Sequence, residues 1–461
     1  MTNTLPRASQ ERVAIWPGNT PRPLMPYSPA IKAAGWVFVA GQLASDYVHG
    51  VAPEAQANPD NPFIGNAQEL QSRYLLGNLA RTLEASGVDI ARDVVRIYQW
   101  FTSPYPTYEE FEQGNTWPRI SITPYLDTRN EFIQEHRPAS TGMGVRQLLS
   151  KGAQVEVDMI AIEPQPGVTK QSFATPEGVP SPLAGYSPAV RYGDWVFLAG
   201  EIPVDWKGDF GAERSMGPPS GVAPEARVNP YYWYGSSIET QTDYTLRKLA
   251  KIAESAGSSI ERCVKATVYI GHPNDYAGMD KIWRRWFPNN PPARTVIPYM
   301  GLGGMGSRIE IAMKLLSNDS PLTMETIETS DAPEPYGHEP QAVKVGNLVF
   351  LSTQLAADSH GGLTKEAQRD PEFPYYGQPV KAQMRYVLKN VAAIMEAAGS
   401  SLDNICRRQC FHDDFTLFAQ SIEEWAAHFP TEPPASTKIE VGGPLQVPGA
   451  NFVLDLIGYA P

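Results

Sequence analysis

The hydrophobic and polar positions of the chain run through one pattern three times. Three apolar stretches align: Trp36-Val37-Phe38-Val39-Ala40-Gly41, Trp195-Val196-Phe197-Leu198-Ala199-Gly200 and Leu348-Val349-Phe350-Leu351-Ser352-Thr353. Each follows another short run across a turn, at Ala34-Gly35, Gly193-Asp194 or Gly346-Asn347, which predicts a hairpin. A helix is predicted next, carrying Gln71, Tyr74 and Leu76, then Gln241, Tyr244 and Leu246, then Gln383, Tyr386 and Leu388. In the second copy Leu246, Leu249, Ala250 and Ala253 recur at helical spacing, so one face is buried. Gly87, Gly257 and Gly399 stand where a helix C-cap belongs.

A strand follows each helix, at Val94 to Trp100, Val264 to Ile270 and Cys406 to Phe411. A second, aromatic-rich helix comes next, clearest at Tyr276 to Phe287 and Phe418 to Phe429. Each copy closes on a Pro-Ala-(Arg/Ser)-Thr strand and a final strand at Val155 to Asp158, Ile309 to Ala312 or Phe452 to Asp455. The order predicts an α+β fold, a mixed sheet with two helices on one face. Three such domains span 21–164, 181–318 and 333–460, with the polar segments 165–180 and 319–332 read as linkers.

Length agrees, since 461 residues suggest about three domains. The 43 prolines and 38 glycines are dispersed, so they indicate turns and ordered loops and not low complexity. A net charge of −12 argues against nucleic acid or an anionic membrane as main partner. The N-terminal segment shows no apolar run that would predict a signal peptide or a span. Cys406 and Cys410, four residues apart, are expected on one strand face about 13 Å apart, beyond bridging distance. With Cys263 they make no disulfide framework, which points to a reducing cytoplasm. The seven histidines show no metal-ligand spacing and no phosphate or dinucleotide fingerprint occurs, so no cofactor and no metal are expected.

Tyr186-Ser-Pro-Ala, the Val-Phe-x-Ala-Gly strand, the Gln-x-x-Tyr-x-Leu helix, Pro291-Pro-Ala-Arg-Thr and Ile309-Glu-Ile together resemble the Rid (reactive intermediate deaminase, YjgF-like) family. The resemblance is close throughout copy two, looser in copy one, and carried in copy three mainly by its helix and Pro433-Pro-Ala-Ser-Thr. It implies three YjgF-like (chorismate-mutase-like) domains in an intramolecular pseudo-trimer with non-equivalent clefts; further self-association is left open. It also implies cofactor-independent hydrolysis of a small carbon–nitrogen substrate, most simply an imine or enamine acid. Arg294 would hold an anionic group, because a guanidinium offers a carboxylate two parallel donors. Glu310 would relay protons, Tyr186 would match the family's site tyrosine and the Gly200 backbone would border the pocket; Tyr27, Gly41 and Glu156 are the copy-one equivalents. Asp280 replaces the family's usual asparagine, a departure that alters proton transfer and disfavours a second carboxylate. Copy three, with Glu339, Thr353, Ser436 and Val453 at the matching places, reads as a scaffold.

Two other readings stand beside this one. A non-catalytic ligand-binding or chaperone-like role fits the degeneracy of copies one and three. A cyclic-amide hydrolase would nominate Ser140 or Ser436, but no lysine partner repeats. The acidic balance argues against RNA as the main substrate. The aromatic loops around Tyr231 to Tyr234 and Phe373 to Tyr376, and an insertion around Trp117 to Phe132, either cover a site or pack on the body.

Overall fold

A computed structural model describes residues 11–58, 60–61, 65–102, 122–182, 184–205, 221–229, 231–232, 234–299, 304, 306–373, 375 and 377–461. Each copy builds one six-stranded sheet. The first comprises β1 (Val13–Ile15), β2 (Ala30–Ala33), β3 (Trp36–Leu43), β4 (Val94–Thr102), β5 (Ala139–Val145) and β6 (Val155–Ile162), in spatial order β1-β2-β3-β6-β4-β5. Neighbours are antiparallel except β4 and β5, which are parallel because helix α2 (Thr123–Phe132) crosses between them. Helix α1 (Ala67–Ala85) joins β3 to β4.

The second copy repeats this order with β7 (Gln171–Phe173), β8 (Ala189–Tyr192), β9 (Trp195–Glu201), α3 (Ser237–Ser255), β10 (Ser258–Ile270), α4 (Tyr276–Trp286), β11 (Ala293–Pro298) and β12 (Ile309–Ser317). The third uses β13 (Met324–Ile327), β14 (Ala342–Val345), β15 (Leu348–Leu351), α5 (Pro379–Ala397), β16 (Ile405–His412), α6 (Phe418–His428), β17 (Ala435–Glu440) and β18 (Phe452–Tyr459). The long helices end as the sequence predicts: Gly87, Gly257 and Gly399 take φ of 80°, 74° and 79°, the left-handed cap that only glycine adopts without strain.

Each sheet buries one face under its own two helices, in three separate apolar clusters. The other faces meet in one central cluster drawn from all three copies. Two aromatic triads mark its pseudo-threefold axis. Trp36 packs edge-on to Trp195 at 4.9 Å and to Phe350 at 6.0 Å. Farther along, Trp100, Tyr269 and Phe411, equivalent in the three copies, meet edge-to-face at 5.5–6.4 Å. Each such pair contributes about 0.5–1.5 kcal/mol beyond burial, so the axis holds the domains together as well as aligning them.

Three expectations change. The segments read as linkers carry edge strands, β7 within 165–180 and β13 within 319–332, each pairing with the following hairpin. The part of the 117–132 insertion that is described is helix α2, the second helix of copy one; residues 117–121 lie outside the described residues. Cys406 and Cys410 do not share a face: Cys406 joins the central cluster and Cys410 the cluster under the helices. The cause is a β-bulge between Ile405 and Arg407 that resets the alternation. The same bulge occurs at Val94/Arg96 and Cys263/Lys265, so all three sheets turn Arg96, Lys265 and Arg407 toward the centre.

Candidate functional site in the interdomain clefts

The fifth strand of each domain lies against the hairpin of the next, in the cyclic order three to one, one to two, two to three. Backbone bonds fix this order: Ser28 N–H donates to the Pro433 carbonyl at 3.2 Å, Ser187 N–H to Pro138 at 3.4 Å and Thr353 N–H to Arg294 at 2.8 Å. A cleft therefore combines Pro-Ala-(Arg/Ser)-Thr of one copy with tyrosine, glycine and glutamate positions of its successor. Arg294 faces copy three. It does not face Glu310, Tyr186 or Gly200, which belong to the cleft completed by copy one.

In the two–three cleft Arg294 is fully buried and already neutralised. Its Nη2 donates to Asp280 Oδ1 at 2.6 Å and to Glu339 Oε2, and the guanidinium lies 5.0 Å from the centre of the Trp283 ring. Asp280 also accepts from Arg284 at 2.8 Å and from the His338 amide at 3.1 Å. Burial opposes ionisation of Asp280, but the Arg294 charge prevails and holds it below the usual carboxylate range. Burial likewise works against the Arg294 cation, and Glu339 and Tyr276 more than offset it. Glu339 occupies the place that a tyrosine holds in the other copies and pairs with Arg294. The adjoining cavity of about 40 Å³, lined by Glu339, Ser352 and Thr353, has room for water and not for an organic acid. The expected anion anchor is thus held by two carboxylates.

The one–two cleft holds Tyr186, Gly200 and Glu310 of copy two against Ser140 and Thr141 of copy one. Glu310 leans on Gly200, where a Cβ would overlap its Oε1 and crowd Thr141. This close approach is why the position is glycine. Burial pushes the Glu310 carboxyl up to about 8, eased by Arg96 and aggravated by Glu201. Polar groups here satisfy one another: Gln99 Nε2 donates to Ser140 Oγ at 2.9 Å, and Arg129 donates to Gln99 Oε1 at 3.1 Å and to the Gly185 carbonyl at 2.8 Å. Lys248 pairs with Glu201 at 2.8 Å, and Arg96 donates to the Leu198 carbonyl at 2.7 Å and to Thr141.

The three–one cleft is different. Tyr27, Gly41 and Glu156 of copy one face β17 of copy three, and a Cβ on Gly41 would overlap Glu156 Oε1 and crowd Thr437. On β17, Ser436 and Lys438 share a face, and their partners across the parallel ladder on β16 are Arg408 and Cys410. Lys438 Nζ sits 3.7 Å from the centre of the Tyr27 ring, and Tyr27 Oη hydrogen-bonds Tyr47 Oη at 2.6 Å. Arg408 is fully buried with its guanidinium 4.0 Å from the centre of the Trp425 ring. Trp425 is the counterpart of Trp283, so Arg408 places a guanidinium where Arg294 places one, reaching it from the neighbouring strand. Yet among the described residues none of its three nitrogens meets an oxygen acceptor, the Cys410 thiol being the one polar group close to it; Glu156 Oε2, Ser436 Oγ and His412 Nδ1 are likewise unpartnered.

A buried guanidinium without a carboxylate partner is costly unless something anionic completes it. Burial already weakens the cation's hold on its proton, with only the Cys410 thiol working the other way. Burial, helped by Arg408, drives Lys438 well below the ordinary ammonium range against the pull of Glu156. Glu156 is raised by burial, with Lys438 opposing and Asp158 adding. His412, 3.2 Å from Cys410 Sγ through Nε2, is pushed down to about 3 by burial and by Arg408.

The endoribonuclease L-PSP family pattern matches residues 17–163, 220–314 and 329–452, most of the chain. The chain belongs to the Rid/YjgF family. A RutC family protein of Sulfurisphaera tokodaii is 35% identical over 118 residues, 26% of this chain and 86% of its own length. The chloroplastic Reactive Intermediate Deaminase A of Arabidopsis thaliana is 30% identical over 137 residues, 30% of this chain and 67% of its own. The crystal structure of RidA from an Antarctic Psychrobacter is 32% identical, covers 29% of this chain and 98% of that one, with a TM-score of 0.24.

Within this Rid frame the sequence-predicted residues fall into three clefts. Tyr186, Gly200 and Glu310 come together, Tyr27, Gly41 and Glu156 come together, and Arg294 joins Asp280 and Glu339. Copy three places Arg408, Ser436 and Lys438 beside the copy-one set. Arg408 and Lys438 escaped the motif comparison because they replace Ala266 and Val296 of copy two. Their signal was charge on the helix-facing side of strands that are apolar at those positions in copy two. Tyr231, Tyr232 and Tyr234 are exposed and do not pack on the body, nor do Phe373 and Tyr375; Trp233, Pro374 and Tyr376 lie outside the described residues. Among the described residues no helix is long and apolar enough to cross a membrane, and no cluster of metal-ligating side chains occurs.

Proposed function

We propose that the chain hydrolyses a small carbon–nitrogen substrate, most simply an imine or enamine acid, in the cleft between domains three and one. The observation that carries this reading is the buried Arg408 guanidinium, which among the described residues meets the Cys410 thiol and no oxygen acceptor. A substrate carboxylate would supply two charge-assisted hydrogen bonds, each about 1.5–3 kcal/mol. Ser436, beside Arg408 with an unpartnered hydroxyl, can donate a further one. Glu156, kept largely protonated by burial, delivers a proton to the substrate nitrogen and takes one back from the attacking water. Tyr27 and Gly41 wall the carbon skeleton.

The relative named Reactive Intermediate Deaminase A supports the reaction class. Arg294 stays outside the chemistry in this reading, since its carboxylate partners already occupy it. Ammonia release from a panel of 2-imino acids, made in situ from amino acids by an oxidase, tests the proposal. Wild type should accelerate release and Arg408→Lys should not. Binding of the acids without faster release would favour a ligand-binding protein.

A further inference from the structure

We propose that Lys438 is a nucleophile in this cleft and forms a Schiff base with 2-oxo and 2-imino acids. The inference rests on the site reading above and adds a covalent step to it. Three placements carry it. Lys438 lies two residues from Ser436 on the same strand face, and Ser436 is the ladder partner of Arg408, so an acid held by Arg408 presents its second carbon toward the lysine side. The amine lies over the Tyr27 ring, and among the described residues no carboxylate forms an ion pair with it. Glu156 leans on Gly41 beneath the same tyrosine, with one oxygen unpartnered. Burial against Arg408 favours the neutral amine, the nucleophilic form.

The step is a transimination. The Lys438 nitrogen lone pair bonds to the C=N carbon, and the C=N π pair moves to the substrate nitrogen. Two protons pass in turn from Lys438 Nζ to that nitrogen, with Glu156 as relay, and the old C–N bond breaks to release ammonia or an amine. The carbon skeleton remains as Lys438–N=C. Water then adds to this carbon, the bond to Nζ breaks, and the 2-oxo acid leaves with the lysine restored. No oxidant or reductant is consumed. The reverse of the second half predicts that the product alone, a 2-oxo acid, condenses with Lys438 and releases water.

This can be trapped directly. The full chain is incubated with pyruvate and cyanoborohydride, and the reduced adduct is located by intact mass and peptide mapping. One carboxyethyl group on Lys438, at pyruvate concentrations where surface lysines are unlabelled, is the expected result. Labelling should be lost in Lys438→Arg and weakened in Arg408→Lys. No adduct on the wild-type chain, labelling spread over surface lysines, or an adduct on Ser436 would overturn the inference. If Lys438→Arg hydrolyses imines at the wild-type rate, the covalent step is wrong and the hydrolase reading stands. If Arg408→Lys changes neither labelling nor turnover, the site reading itself fails.

Discussion

Arg294 and Arg408 put the same group in the same place, a guanidinium over a tryptophan at one edge of a sheet, and their surroundings make them opposites. Around Arg294 the successor domain offers Glu339 where a tyrosine stands in the other copies, and α4 adds Asp280; the cation is satisfied and the cleft closed. Around Arg408 the successor domain offers Tyr27 and Glu156, and Lys438 adds a buried amine held toward its neutral form. The first arrangement locks two domains together. The second leaves a buried cation without a carboxylate partner, at the expense of stability. A motif arginine is therefore no guide to a site until the charges brought by the neighbouring domain are known.

The comparison can be broken by substitution. Arg408→Leu should lower kcat/KM by about 10²–10⁴-fold, the equivalent of two charge-assisted hydrogen bonds. It should leave the denaturation midpoint unchanged or higher, because it removes an unpaired buried charge. Arg294→Met should do the reverse. It leaves Asp280 and Glu339 buried without their cation, at about 3–5 kcal/mol in chemical denaturation, and turnover per folded molecule should persist. Adding Asp280→Asn and Glu339→Gln to Arg294→Met should recover most of that loss.

Two smaller effects sharpen the contrast between clefts of like geometry. Gly41→Ala and Gly200→Ala each push a methyl into a glutamate carboxylate, and each should cost about 1–3 kcal/mol of stability. Only Gly41→Ala should reduce turnover, measured as ammonia release, because in the proposed mechanism Glu156 and not Glu310 works on substrate. Glu310 provides a pH test. Its folded value of about 8 lies above the ordinary 4.5, so between these the folded state binds the extra proton. Its contribution is full below pH 4.5 and is lost as pH rises through 8. Glu310→Gln should flatten the fall in stability over that window, read from denaturation midpoints across pH.

Much of the architecture was legible because it is written locally. The Ala-Gly cap at Gly257, the Ala34-Gly35 turn and the stripe through Leu246, Leu249 and Ala253 each follow from backbone conformation or from one period of hydrophobicity. The bulge at Ile405/Arg407 was not legible, since it depends on pairing with β18, and it moved Cys406 to the other face. The edge strands β7 and β13 were missed because three- and four-residue polar strands exist only through their partners. At the site, Glu156, Gly41 and Tyr27 were found by matching copies. Arg408 and Lys438 were not, because matching looks for retained residues and these are new ones.

The sequence by itself determined the three-fold repeat, the elements of each copy and the family motifs, since these rest on contacts close along the chain. Tertiary structure decided which copy completes which cleft. That order is set by the packing of three sheets around a common axis, where Trp36, Trp195 and Phe350 meet from points far apart in the chain. Charge pairing follows from that order, and so does the difference between an arginine that closes a cleft and one that is left without a carboxylate.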